Sequence, residues 1–191
     1  LASDAILRGR EGELQAIVLK GIDPETVADA TQLVETIRAG SLADLEPKPD
    51  GDEIERLPGL IVGAELANRF LLQIGDALVL ISPMGGAPTP LGPAPRLERF
   101  RVAGVFRSSA FQGEEVITYT SVEAAQEFKR SGDVVDGIEV RTSDYYRSAR
   151  IAEGAQIALG FPFYTRDWKE FFPAFFQALK AELLAPGIHH F

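Results

Sequence analysis

Short apolar stretches separated by turn residues make up most of this chain, and the period of each stretch assigns its element. Leu14–Gly21 (LQAIVLKG) is an apolar run rich in branched residues and predicts a buried strand. Asp23-Pro24 reads as a helix start, since Asp23 can accept from exposed N–H groups and Pro24 suits the first helical position. A helix is therefore expected over 24–38, closing at Gly40. Residues 46–57 (EPKPDGDEIERL) are Pro-rich and charged, a solvated loop. Gly59–Gly63 predicts a brief strand, and 64–72 has helical spacing with Leu66, Ala67 and Phe70 facing inward. Strands follow over 77–81 and 97–106; in the second, Phe100, Val102, Gly104 and Phe106 alternate with Arg99, Arg101 and Val105, the mark of one buried face.

Further along, 114–120 predicts a strand and Ser121 caps a helix running to Lys129. A strand is expected over 134–141, with Ile138 and Val140 on one face. Ser143 caps a helix carrying Ala149, Ala152 and Ile157, and 161–164 reads as a short strand. Asp167, with Glu170 as its capping-box partner, opens a last helix. Trp168, Phe171, Phe172, Phe175, Phe176, Leu179 and Leu183 form an aromatic stripe on it at helical spacing. Strands interleaved with short helices, without a sustained βαβ rhythm, predict an α+β fold. Two lobes are expected, joined by two crossings of the chain, with an antiparallel-rich sheet in each.

Between the strands at 77–81 and 97–106 lies Ser82–Pro95 (SPMGGAPTPLGPAP), with five prolines and three glycines in 14 residues. Proline lacks a donor and fixes φ, so neither a central strand nor a helix fits here. The pattern predicts a long hairpin with a stiff tip and Met84, Pro90 and Leu91 exposed on it. One reading is a surface turn. The other is a recognition element, because a segment with little freedom to lose presents a fixed shape at low entropic cost.

Charge and composition narrow the function. The 191 residues suffice for one domain or two small lobes. Net charge is −9 with no offsetting Lys/Arg block, which disfavours nucleic-acid binding. The absence of cysteine excludes thiol chemistry and thiolate zinc sites. No run reaches 18 apolar residues, the length that spans a bilayer. The chain opens at Leu1 in a segment that reads as mid-domain, so residues 1–184 are expected to be one domain of two lobes whose first part is missing, and 185–191 a tail.

Candidate chemistry is sparse. His189 and His190 are the only histidines and lie in that tail, so Ser82, Ser108 and Ser109 have no base within the domain. Gly85-Gly86 is not part of a phosphate-binding G-x-x-x-x-G-K-[ST] loop. Asp23, Glu25 and Asp29 suit the positive end of a helix. Asp50, Asp52, Glu53 and Glu55 lack the spacing of a calcium loop. Arg166, Asp167 and Trp168 read as a helix cap with a buried Trp. No catalytic residue, metal site or cofactor is expected.

Several segments, in order, resemble one family. Ile61-Val62-Gly63-Ala64-Glu65-Leu66-Ala67 followed by Gly75-Asp76 is similar to the (I/V)-G-x-x-L-A…G-D-x-(V/I) segment in the periplasmic domains of lipoprotein-releasing ABC-transporter permease subunits, the LolC/LolE family. Gly21-Ile22-Asp23-Pro24, Gly40-Ser41-Leu42, Ser82-Pro83, Phe100–Phe106, Ala125-Gln126, Gly137-Ile138-Glu139 and Asp167-Trp168 extend the resemblance over nearly the whole chain. It implies a two-lobed, MacB-like periplasmic domain with mixed or antiparallel sheets, short helices and a protruding Pro-rich β-hairpin. Such a domain lies on the periplasmic face of the bacterial inner membrane, between transmembrane helices. A second permease subunit and a cytoplasmic ATPase complete the transporter, and the substrates are lipoproteins.

The hairpin resembles the family's hook, which recruits a periplasmic lipoprotein carrier (LolA-like). Carried over, the hook comprises Ser82, Pro83, Met84, Pro88, Thr89, Pro90, Leu91, Gly92, Pro93 and Pro95. At its base the family has a pad of polar and basic residues. The corresponding positions here are Val79, Leu97 and Glu98, none of them basic or amide, with Arg96, Arg99 and Arg101 as neighbouring cations. The rival expectations are a mechanotransmission domain of MacB/FtsX type without a carrier, and a sugar- or peptide-binding module.

Overall fold

A computed structural model describes residues 1–83, 86, 88, 89, 92–107, 116–167 and 170. The chain divides into two compact units, 1–140 and 141–191. The fold is α+β, a mixed sheet with short helices.

In the first unit, β1 (Ala2–Arg8), β2 (Leu14–Ile22), β3 (Ile37–Gly40), β4 (Gly59–Gly63), β5 (Ala77–Ser82), β8 (Arg96–Phe106) and β9 (Ile117–Ser121) form one seven-stranded sheet. A separate two-stranded ribbon joins β6 (Pro88–Thr89) to β7 (Gly92–Pro93). The sheet order is β3-β8-β4-β9-β2-β1-β5, and β5 pairs again with β8. The pairings therefore close a ring of six strands, with β3 attached to β8 outside it. Parallel pairs (β2–β9 and β4–β8) occur beside antiparallel ones, so the sheet is mixed.

Both faces of this sheet are covered, which explains why β4 is buried at every position. Leu60 and Val62 join one apolar cluster with Leu7, Leu19, Leu80, Phe100, Val102 and Phe128. Ile61 joins a second with Leu45, Ala103 and Phe106. The same two-sided cover buries Arg101, which alternation alone placed on an open face; its Nη2 donates to Asp44 O at 2.9 Å. The β3–β8 approach needs a glycine, since Gly40 has φ +77° and a Cβ there would run into Ala103 O.

Helix α3 (Ala64–Arg69) follows β4, and α4 (Val122–Lys129) follows β9. Ser121 Oγ caps α4 by accepting from Ala124 N at 3.3 Å. The helix expected over 24–38 is instead two single turns, α1 (Val27–Ala30) and α2 (Leu33–Thr36). Thr31 between them is extended, its Oγ1 accepts from Leu33 N, and Ile37 onward is drawn into the sheet beside β8. The strand expected over 134–141 pairs with no described strand. Polar side chains hold this segment instead. Asp136 accepts from Ala2 N at 2.7 Å and from Lys129 Nζ at 2.8 Å, and Glu139 pairs with Lys20. The bond from Ala2 N, then that from Lys129, keeps the Asp136 carboxyl below its ordinary range.

In the second unit, a 3-10 turn at Tyr145–Arg147 leads into α5 (Ser148–Leu159). The start lies five residues beyond the expected Ser143 cap because Asp144 Oδ1 takes Tyr146 N and holds the 3-10 turn first. The strand expected at 161–164 is a turn at 161–162 followed by residues in no regular element, bound to α5 through Gln156, which donates to Phe163 O and accepts from Thr165 N. Glu170 Oε1 lies 3.4 Å from Asp167 N, one arm of the expected capping box. The aromatic stripe from Trp168 onward, and His189 and His190, lie outside the described residues.

Candidate functional site: the base of the Pro-rich ribbon

The ribbon rises from the β5–β8 pair, whose register runs from Ala77↔Arg101 to Ser82↔Arg96. Beyond it, Gly86 N donates to Ala94 O at 3.0 Å, and Pro88↔Pro93 and Thr89↔Gly92 pair across β6 and β7. The segment 82–95 is therefore a hairpin, with positions 90 and 91 between the last paired residues. The neck is tight at Gly86, where a Cβ would run into Ala94 O. Of the hook residues, Ser82 is buried while Pro83 and Pro95 are exposed. Met84, Pro90 and Leu91 lie outside the described residues.

Strand parity divides the five pad positions. Residues opposite one another in an antiparallel pair share a face, so Val79, Leu97 and Arg99 fall on one side and Arg96 and Glu98 on the other. On the first side Leu97 is 57% exposed, and Arg99 Nη1 reaches Glu53 Oε1 at 2.6 Å. This pair ties the hairpin base to the 46–57 loop. That loop is shaped by its own carboxylates, with Asp52 Oδ1 accepting from Ile54 N and Glu55 N, both at 2.9 Å.

The second side faces α4. Phe100 and Phe128 meet edge to face with centroids 6.1 Å apart. Arg96 Nη2 donates to Glu127 O at 2.7 Å, and Arg96 Nε lies 2.8 Å from Glu98 Oε1 as a charge pair rather than an aligned hydrogen bond. An open depression lies alongside, lined by Arg96, Glu98, Glu123, Gln126, Glu127 and Arg130. The supports Glu127 and Phe128 were not among the residues singled out from sequence, and Glu53 was weighed there only as part of an acidic loop. Phe128 had a readable signal, an aromatic near the end of a capped helix; the Arg99–Glu53 pairing, 46 residues apart, had none.

Nothing in this arrangement points to bond-making chemistry. Among the described residues, no group of three or more His, Asp or Glu side chains gathers as a ligand set, and no helix is long and apolar enough to cross a membrane. What the arrangement offers is a short β-ribbon whose base is braced on both faces.

No family model matches the chain. It is 25% identical over 188 residues to the lipoprotein-releasing system transmembrane protein LolC of Xylella fastidiosa, strains Temecula1 and 9a5c. It is 25% identical over 185 residues to LolC of Neisseria meningitidis serogroup B. These matches take in 98% and 94% of this chain but 43% and 41% of the relatives. The chain thus resembles a LolC fragment and spans about two fifths of the length of the curated relatives it matches.

Proposed function

We propose that this chain is the periplasmic domain of a lipoprotein-releasing ABC-transporter permease subunit, and that the hairpin 82–95 recruits a periplasmic lipoprotein carrier. The observation that carries the reading is the similarity to LolC across nearly the whole chain. The geometry supports it. A projection with five prolines has little conformational entropy to lose on docking, and both faces of its base are tied to the domain. The mechanism is binding: the tip supplies apolar contact and the base holds it in position. ATP hydrolysis belongs to a separate cytoplasmic subunit and acts on this domain through membrane helices outside the chain. Lipoproteins are the cargo, and a second permease subunit completes the assembly.

Calorimetric titration with the lipoprotein carrier encoded in the same genome tests this. Deleting 84–93 is expected to abolish binding. Leu91→Ala is expected to weaken it about five-fold or more, as truncation of a hot-spot side chain does, with the melting temperature unchanged. Full affinity after the deletion would remove the hairpin from the site. No binding by the parent chain would leave a mechanotransmission domain without a carrier.

A further inference from the structure

We infer that Arg96 is a positioning residue: it fixes the direction in which the hairpin leaves the sheet, by bridging the hairpin neck to the C-terminal end of α4. This rests on the reading of the hairpin as the recruiting element. A cation at the base of a recognition loop is ordinarily expected at the rim, steering a charged partner. Arg96 does not have that placement. Its side chain is only 12% exposed, and its guanidinium is already engaged within the domain.

Each contact has a geometric meaning. Arg96 is the first residue of β8 and pairs with Ser82, the last of β5, so it stands where the ladder ends and the hairpin continues alone. Glu127 O belongs to the last turn of α4, where carbonyls lack intrahelical partners and the helix end carries partial negative charge. Arg130, in the left-handed conformation at the C-cap, donates its N–H there, and Arg96 adds a charged donor. The helix end is itself seated on the sheet by Phe128 against Phe100, so Arg96 anchors the neck to a fixed body. One planar cation serves two partners, donating to Glu127 O through Nη2 and lying beside Glu98 Oε1 as a charge pair at Nε. A lysine, with a single charged nitrogen, does not reproduce that fork.

The chain contains no cysteine, so a single Thr89→Cys substitution carries a nitroxide label on β6 without competition. Its spectrum reads motion of the ribbon relative to the domain. In Arg96→Ala, and more weakly in Glu98→Gln, the label is expected to gain motional amplitude, and Arg96→Lys is expected not to restore the parent spectrum. In titrations of the unlabelled variants with the same-genome carrier, Arg96→Ala should bind about five-fold more weakly, the cost of ordering a loosened hairpin. That ratio should be the same at low and high salt, whereas loss of a rim charge shrinks as salt rises. Unchanged label motion in Arg96→Ala and Glu98→Gln, or an affinity loss that disappears at high salt, overturns the proposal. If Arg96→Ala does not fold, Glu98→Gln decides by the same spectrum. The label arm needs no carrier, so failure of carrier binding refutes the recruiting function while the spectrum still decides the role of Arg96.

Discussion

Helix α4 is eight residues long and buries Ala125 and Phe128, whereas α5 is twelve residues long and buries none of its residues. Both carry apolar residues at helical spacing. The difference lies in what each helix is given to pack on. α4 follows β9 directly, is capped by Ser121 at the strand end, and crosses β2 where Gly21 lets Ala125 approach. α5 is held through polar bonds to the returning chain, Thr165 Oγ1 to Ala152 O and Gln156 to Phe163 and Thr165. Its apolar residues Ile151, Ile157 and Leu159 stay exposed. Periodicity says that a helix forms. The energy of its apolar face depends on the neighbouring surface, which for α4 is the sheet.

Mutations should separate the two helices by size of effect. Phe128→Ala removes a fully buried ring from the main apolar cluster and should cost about 3–5 kcal/mol in urea unfolding. A loss below about 1 kcal/mol would mean that α4 is not seated as described. Ser121→Ala deletes the cap and should cost about 1 kcal/mol, measured in the same titration. Ile157→Ser changes a side chain that is 78% exposed and should shift stability by no more than about 0.5 kcal/mol. A shift as large as that of Phe128→Ala would show that the α5 face is covered, and the contrast would fail.

Legibility followed burial. β2, β4, β5, β8, β9 and both longer helices of the first unit were readable because each carries a dense apolar run or stripe. β1 was not read: of its seven residues only Ala5 and Leu7 are buried, and one of those is small. The α1–α2 break was hidden because 24–38 has good helical composition, and the pairing of Ile37–Gly40 with β8, sixty-odd residues away, overrode it. At 134–141 the alternation was real but had no face to bury: Ile138 is 84% exposed and the segment is held by Asp136 and Glu139. For the site, five prolines announced the hairpin, while its bracing depended on register. One residue of parity put Arg96 against α4 and Arg99 against Glu53, a division that sequence spacing suggests only once the β5–β8 pairing is known.

Closure of the six-stranded ring has a consequence for the edges of its strands. β1 is hydrogen-bonded on both edges, to β2 along its whole length and to β5 through Ile6, Leu7 and Arg8. In the intact ring the outlying strand is β3, only four residues long, a poor template for another chain. Release of β1 would bare the facing edges of β2 and β5 together. These are strands of nine and six residues with unsatisfied N–H and C=O groups and apolar side chains. Protection of the β2 and β5 edges is therefore vested in β1, a segment remote in sequence from the hairpin.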